Sequence, residues 1–179
     1  MLLGNGIIVS DGDFWRRQRT MIQPAFSRHN ILQLCEMMKV ATQNLIPHWK
    51  QKAATGEAID ITTEMSEFAL EVILRALLSE DFDLLVAEHG RNPYDFLTDD
   101  ATRDLALAMR FRQTGKLIQK IIDTRREENL ERGDLLGVMM AATDKAGTAM
   151  SDKELIDEVM TMIIAGHETT GGTLNWLWY

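Results

Sequence analysis

The stretch from Ser151 to Tyr179 constrains the fold most, because its pattern predicts a single long helix. Ser151 and Glu154 have the spacing of a capping box, in which each side chain accepts a hydrogen bond from a free backbone N–H group at the helix start. Apolar residues follow at helical intervals, and the last residues are strongly apolar. At 1.5 Å per residue, a helix over 152–179 is about 40 Å long, comparable with the diameter of a small domain. A helix of this kind needs partners that the sequence does not supply after Tyr179, so we expect the chain to be a fragment.

Most of the remaining sequence also predicts helices. The clearest pattern has apolar residues spaced by three and four, which requires one buried helix face; these residues are Met65, Phe68, Ala69, Val72, Ile73, Ala76 and Leu77. Thr62 or Thr63 is the expected N-cap of that helix. With only three prolines and 12 glycines to break the chain, we predict a mainly α fold of several helices. It forms one partial domain over residues 1–179.

The other elements follow from local signals. Asp11 or Asp13 is expected to cap a first helix that ends near Gln23, since Pro24 disfavours helical geometry in the residue before it. A second helix starts near 27–30, carries an apolar stripe from Ile31 to Trp49, and ends before Gly56. Later helices are predicted from 105 to about 131 and over 135–143. We read residues 81–104 as irregular, and 7–9 and 59–61 as short extended pieces.

Composition excludes several classes of function. Nineteen Lys and Arg residues against 27 Asp and Glu give a net charge of −8, which argues against nucleic acid as the main partner. No segment reaches the ~20 apolar residues that a membrane helix needs. The single cysteine, Cys35, excludes an internal disulfide and a cysteine-based zinc cluster. Together with a start that does not resemble a secretory leader, these features predict a protein of the reducing cytoplasm.

Trp15 and Arg19 form the first candidate site. Their i, i+4 spacing places both side chains on one face of the first helix. The indole N–H and the guanidinium are donors without acceptor capacity, so together they suit a carboxylate or a phosphate. The alternative is a surface tryptophan covered by the stem of an arginine. Arg16 and Arg17 are interpreted as the solvated face of the same helix.

The stretch from Ala165 to Thr170 is the second candidate site. It interrupts an apolar helix with a glycine, an acid and two β-branched hydroxyl residues, which weakens the helix locally. One use of this weakness is to let a flat ligand approach the backbone at Ala165 and Gly166. The Thr169 hydroxyl can bond to the carbonyl one turn earlier, and an acid beside an alcohol can relay protons. The alternative is a helix–helix contact in which small residues permit close packing.

Two candidates for metal binding are rejected. His167 and Glu168 begin the zinc-protease pattern HExxH, but the fourth residue after His167 is Gly171 instead of a second histidine. Cys35 lies on the apolar stripe of its predicted helix, where a cysteine is more often a small core residue than a ligand. We therefore predict no metal ligand in this chain.

The two candidate sites resemble motifs of the cytochrome P-450 family. Trp15-Arg-Arg-Gln-Arg19, followed by Gln23-Pro24-Ala25-Phe26, is similar to the family's helix C region. Ala165-Gly-His-Glu-Thr-Thr170 resembles the oxygen-activation motif of its long helix I, and the Ser151–Glu154 approach to that helix is also typical. The motifs occur in the family's order, and the resemblance covers essentially the whole chain. It identifies a central fragment from helix C to helix I.

The resemblance implies a role for each candidate residue. Trp15 and Arg19 bind a propionate of haem b, while Ala165 and Gly166 pass over the haem face. Glu168 and Thr169 deliver the protons with which dioxygen is split. The implied activity is that of a haem-dependent monooxygenase, which inserts one oxygen atom of O2 into a small apolar substrate. The electrons come from NAD(P)H through a redox partner, either a ferredoxin or a flavin reductase.

Departures from the family pattern limit what this chain is expected to do alone. The family's iron ligand is a cysteine in a glycine-rich loop after helix I, and Cys35 lacks that loop around it. The family's later Glu-x-x-Arg helix and its N-terminal sheet are also missing from this sequence. Residues 81–104 are fewer than the lid helices of relatives need. We therefore expect the isolated chain to be inactive. The alternative is a non-enzymatic helical remnant or an interaction module.

Overall fold

The computed structural model describes residues 4–98 and 105–179. Seven α-helices account for most of these residues, with two short 3₁₀ helices at Gln23–Phe26 and Asp95–Leu97. In chain order the α-helices are α1 (Gly12–Ile22), α2 (Arg28–Thr55), α3 (Ile61–Leu78), α4 (Glu80–His89), α5 (Leu105–Glu127), α6 (Leu135–Ala141) and α7 (Asp152–Trp178). Across the described ranges there is no β-strand, and the predicted mainly α fold is confirmed. None of these helices is both long and apolar enough to cross a bilayer.

The long helix predicted at the end of the chain is α7, and α3 is its main partner. Its capping box is present, because the Ser151 amide donates to the Glu154 carboxylate at 2.7 Å and the Glu154 amide donates to Ser151 Oγ at 3.3 Å. The two helices run antiparallel, since Thr62 at the start of α3 bonds to Asn175 near the end of α7. Their shared surface forms the centre of the buried core, which includes Leu70, Leu74, Leu77, Leu155, Val159 and Ile163.

Several helix ends lie where short sequence signals predicted them. Ser27 caps α2 by accepting from the Asn30 amide, and Gly56 ends α2 in the left-handed region with φ 72°. The start of α3 differs from the prediction, because Asp60, not Thr62 or Thr63, is its N-cap. The Asp60 carboxylate accepts from the amides of both threonines, so the helix begins at Ile61. Of the piece at 59–61 that was expected to be extended, Asp60 is extended and Ile61 is helical.

Two other local expectations were wrong. Residues 7–9 form a turn instead of an extended piece, because the amides of Val9 and Ser10 both donate to the Gly6 carbonyl. The segment expected to be irregular contains α4 and a 3₁₀ helix, and its residues 99–104 lie outside the described part of the chain.

The apolar stripe predicted on α2 is only partly buried, because half of its residues are exposed and the others are half-buried. Ile31 and Met38 are each more than 40% exposed, Cys35 is exposed, and Ala41 is the buried residue of this helix. The expectation that Cys35 is a core residue is therefore wrong. An apolar stripe is buried only where another helix packs against it. The polar contact of α2 with α3 lies at the C-terminal end of α2. There Trp49 Nε1 and Lys52 Nζ donate to the Glu64 carboxylate at 3.1 and 2.8 Å.

A buried ion-pair network joins the ends of four helices. Arg125 of α5 is 2% exposed, and its Nε donates to Asp81 of α4 at 2.6 Å. Its two terminal nitrogens donate to both oxygens of Asp134 at 2.8 and 2.6 Å, and one of them also reaches the Leu78 carbonyl at the end of α3. Asp134 in turn caps α6 through the Gly137 amide. These charge-assisted bonds raise the pKa of Arg125, so the guanidinium stays charged although it is buried.

Replacing Arg125 is therefore expected to destabilise the fold strongly. The change Arg125→Met removes the cation that pairs with both buried carboxylates and leaves only the longer Arg132 contact with Asp81 at 3.8 Å, so the free energy of unfolding should fall by about 3–5 kcal/mol. Arg126→Met is the matched control, because Arg126 pairs with Asp152 near the surface, where the loss should be below about 1 kcal/mol. Urea denaturation followed by circular dichroism measures both. Equal losses for the two variants would contradict the network's importance.

Candidate functional site on α1 and α7

Trp15 and Arg19 lie together on α1, as their spacing predicted. The Arg19 guanidinium carbon lies over the Trp15 ring, 5.4 Å from its centroid. Arg19 is exposed and Trp15 is half-buried. Among the residues that the structure describes, no carboxylate is within ion-pair distance of Arg19. The contact agrees with an arginine that covers a tryptophan, yet it also leaves the guanidinium donors available to an external anion.

Arg17 anchors α1 to the rest of the protein, which the sequence interpretation missed. Its Nε donates to Asp144 at 2.7 Å, and one terminal nitrogen donates to Glu154 in the first turn of α7 at 2.6 Å. The hydrogen bond to Asp144 is the main reason why the pKa of Arg17 is raised. The expected solvated role holds for Arg16, which is exposed, but is wrong for Arg17. Arg17 lies two residues from both Trp15 and Arg19, so it points from the opposite side of the helix.

The turn from Ala165 to Thr169 has the predicted hydroxyl bond. Thr169 Oγ1 donates to the Ala165 carbonyl at 2.6 Å, so this carbonyl has a second polar partner one turn along. The helix is nevertheless continuous from Asp152 to Trp178, and the expected loosening of its backbone is not seen. The acid–alcohol pair, Glu168 and Thr169, is exposed.

One face of this turn is packed closely against α3. A side-chain carbon at Gly166 would lie 2.9 Å from Ile73 Cγ1, and one at Gly171 would lie 3.3 Å from the Ser66 Cα. Between them, His167 is 4% exposed and its Nε2 lies 2.8 Å from Ser66 Oγ. Burial lowers the pKa of His167, which favours the neutral imidazole. The missing side chain of Gly166 thus serves helix packing, while its expected place over a haem stays a prediction.

The opposite face of the turn is open. With about 100° of rotation per residue, Ala165, Thr169 and Gly172 point away from the face that carries His167 and Gly171. Nothing lies within 4 Å of the position that a side chain of Gly172 would occupy. We call Ala165, Thr169 and Gly172 the open strip of α7. Its small residues leave room for a flat group to lie against the helix.

A separate cavity lies away from these residues. It has a volume of about 690 Å³ and lies between the end of α4, the turn at 91–96 and the middle of α5. Arg91, Lys116 and Phe96 are among its lining residues, and none of the predicted site residues lines it. The predicted site residues therefore lie on open faces of α1 and of α7, and they do not line this cavity.

Comparison with known proteins decides the family. The family model for Cytochrome P450 matches residues 1–99 and 92–179, which together span the whole sequence. The chain belongs to the cytochrome P450 family. Cyclooctatin synthase from Streptomyces melanosporofaciens is 32% identical over 99% of this P450 chain, and pentalenene oxygenase from Streptomyces avermitilis is 26% identical over 99%. The chain spans 42% of the length of each of these two relatives.

Solved structures agree with this assignment. A crystal structure of the cytochrome P450 CYP102L1 superposes with a TM-score of 0.78 at 24% identity, over 95% of this chain and 40% of the other. The haem domain of cytochrome P450DA superposes with a TM-score of 0.72 at 27% identity, over 96% of this chain and 41% of the other. The predicted incomplete P450-like fold is thereby confirmed.

The residues of this P450 fit the haem that the family implies. Arg19 and Trp15 present donors to an anionic group, and no carboxylate of the described residues is ion-paired with Arg19. The open strip of α7 presents small side chains, which suits the face of a flat ring. A metal ligand is a different matter. No cluster of ligand residues occurs in the described ranges, and Cys35 is exposed on α2.

A pair of glycine substitutions tests the two faces of α7. Gly166→Ala should lower the free energy of unfolding by about 1–3 kcal/mol, because the added carbon would overlap Ile73. Gly172→Ala should raise it by up to about 1 kcal/mol, because the position is open and alanine favours helix. Thermal and urea unfolding of both variants measure the difference. Equal effects at the two positions would contradict the observed rotation of the helix.

Proposed function

We propose that this chain is the central, haem-face portion of a monooxygenase. The proposed reaction inserts one oxygen atom of O2 into an apolar organic substrate and reduces the other atom to water, using two electrons and two protons. The observation that carries the proposal is the exposed, stacked Arg19 on α1 together with the open strip of α7. Relatives that match the chain over 99% of its length carry the names pentalenene oxygenase and cyclooctat-9-en-7-ol 5-monooxygenase, which supports this reaction class.

Trp15 and Arg19 are proposed to hold a propionate of the haem. A carboxylate beside Arg19 gains charge-assisted hydrogen bonds, and the indole N–H of Trp15 can add another from the same face of α1. Arg17 positions this pair, because its ion pairs to Asp144 and Glu154 fix α1 from the opposite side. Ala165 and the backbone at Gly166 are proposed to line the haem face.

Glu168 and Thr169 are proposed to supply the protons. When bound, the haem supplies the activation of dioxygen, and the chain's own groups move protons toward it. The Thr169 hydroxyl donates to the Ala165 carbonyl and keeps its lone pairs free to accept a proton. Glu168 is the next residue and is exposed, so it can collect protons from solvent and pass them through water to the hydroxyl.

The redox partner and the iron ligand are proposed to come from outside this chain. The electrons come from NAD(P)H through a ferredoxin or a flavin reductase, and the protein acts in the cytoplasm. The thiolate ligand of the iron comes from a cysteine outside this chain. Cys35 is not proposed as that ligand, because it lies on α2, upstream of α7, and lacks a glycine-rich loop around it. The isolated 179-residue chain is accordingly expected to bind haem without thiolate ligation and to be inactive.

The spectrum of the reduced protein with carbon monoxide tests the function. The full-length protein should show the red-shifted Soret band of a thiolate-ligated haem, and Cys35→Ser should leave that band unchanged. The isolated chain titrated with haem should not show it. A full-length protein without the band would reject the monooxygenase and favour the helical remnant or interaction module. Loss of the band in the Cys35 variant would overturn our assignment of the ligand.

The haem affinity of two arginine variants tests the propionate contact. Arg19→Gln should weaken haem binding by roughly 10- to 100-fold, since hydrogen bonds to charged groups contribute about 1.5–3 kcal/mol. Arg16→Gln is the control, because Arg16 lies on the same helix and pairs with Asp13 at the surface. Haem transfer to apomyoglobin, followed by absorbance, measures the affinity. Equal loss in both variants would indicate a non-specific charge effect.

The coupling of electron use to product formation tests the proton path. Thr169→Ala should lower the rate of product formation by about 100-fold while NAD(P)H is still consumed, because the hydroxyl that carries the proton is lost. Thr173→Ala is a matched control, since its hydroxyl makes the same bond one turn on, to the Thr169 carbonyl at 2.8 Å. Product per NAD(P)H is the measurement. Unchanged coupling in Thr169→Ala would remove the proposed role.

A further inference from the structure

The segment from Gly4 to Ser10 lies directly against α7. A side-chain carbon at Gly4 would lie 1.9 Å from Asp157 Oδ1, and one at Gly6 would lie 2.1 Å from Thr161 Oγ1 and 2.8 Å from the Asp157 carbonyl oxygen. The segment therefore touches the helix with its backbone, and the Gly-Asn-Gly sequence is what permits this approach.

Two adjacent carboxylates of α7 hold the backbone of this segment. Asp157 Oδ2 accepts from the Asn5 amide at 3.0 Å, and Glu158 Oε2 accepts from the Ile7 amide at 3.0 Å. The following amides, of Val9 and Ser10, donate to the Gly6 carbonyl within the segment itself. The connection between the segment and α7 thus depends on side chains at two consecutive positions.

The two carboxylates differ in their surroundings. The Asp157 side chain is 15% exposed and forms an ion pair with Lys153 at 2.7 Å. Glu158 is fully buried, and its Oε1 has no hydrogen-bond partner in the described part of the protein. Burial raises the pKa of Glu158 to about 7, and the negative charges of Asp157 and Glu154 raise it further. The hydrogen bond from the Ile7 amide acts in the opposite direction and lowers this pKa.

No cation among the described residues offsets the charge of Glu158. The 4–10 segment contains no ionisable side chain. On the α1 side, Arg17 already forms ion pairs with Glu154 and Asp144. On the α5 side, Arg126 pairs with Asp152 in the first turn of α7. An ionised Glu158 would therefore be a buried, uncompensated charge, which is stable only if water reaches it.

Glu158 lies on the same side of α7 as the open strip. Residues separated by four or seven positions share a helix face, so Glu158, Thr161, Ala165 and Thr169 line one side of α7. The segment covers this side at Thr161, one turn before Ala165. It thus forms a wall at the N-terminal end of the open strip.

We propose that Glu158 is a proton-sensitive positioning residue that latches the 4–10 segment onto α7 beside the open strip. The protonated carboxyl remains buried with the Ile7 amide on Oε2. Loss of the proton favours the state in which the segment has moved away and water reaches the carboxylate. The importance of this wall for catalysis rests on the function proposed above, whereas the latch itself requires no cofactor.

The sign of the pH dependence follows from linkage. In the released state Glu158 has the usual pKa of 4.5, and in the latched state the pKa is about 7, so the latched state binds more protons between these values. The equilibrium therefore shifts toward release as the pH rises through that range, by up to roughly tenfold per pH unit, and levels off above it.

Hydrogen exchange of the intact protein tests the latch. After correction for intrinsic exchange rates, the protection of the peptide covering residues 4–11 should fall by roughly 50-fold between pH 5 and pH 8. A peptide from the contact of α3 with α7 should keep its protection, which shows that the opening is local. Constant protection of the 4–11 peptide in the unaltered protein would overturn the proposal, and so would a parallel loss in both peptides.

Two substitutions at neighbouring positions sharpen the test. Glu158→Gln keeps the shape and the acceptor for the Ile7 amide but cannot ionise, so protection should become independent of pH. Asp157→Asn alters the Asn5 contact and should leave the pH dependence in place. A pH dependence in Glu158→Gln equal to that of the unaltered protein would refute the latch. Failure of the haem experiments with a normal exchange profile would reject only the proposed function.

Discussion

The close packing of α3 on α7 fixes the rotation of α7 about its axis, and the candidate site depends on that rotation. Gly166 lies against Ile73 and Gly171 against Ser66, with no space for a side chain at Gly166 and little at Gly171. The bond between His167 and Ser66 adds a polar contact to the same face. A turn of the helix by one residue would bring Glu168 toward α3, where an unpaired charge is costly.

The two helices of the site are held by different kinds of force. α7 is fixed by apolar contact with α3, which Gly166 and Gly171 allow because they have no side chains. α1 is fixed by the ion pairs of Arg17. In both helices the face opposite the anchor is the one that carries the candidate residues, Trp15 with Arg19 and Ala165 with Thr169. Rigid helices anchored from behind keep such side chains in place without using their own hydrogen-bonding groups.

Local chemistry explains what was predictable from the sequence. The capping box of α7, the Gly56 end of α2 and the i, i+4 pair on α1 each depend on a few neighbouring residues, and all are found. The features that the sequence did not predict depend on tertiary contacts. Arg17 gains its role from Asp144 and α7, and Glu158 gains its role from the 4–10 segment. The stripe of α2 is only partly buried, because an apolar stripe alone does not specify a partner.

A crystal structure of the full-length protein with haem bound would show whether α1 and the open strip of α7 hold the haem. We expect Arg19 and Trp15 to donate to one haem carboxylate and Ala165 and Thr169 to face the ring, while Gly166 remains against Ile73. A haem carboxylate bound by other residues, or a ring that faces the His167 and Gly171 side of α7, would contradict this arrangement.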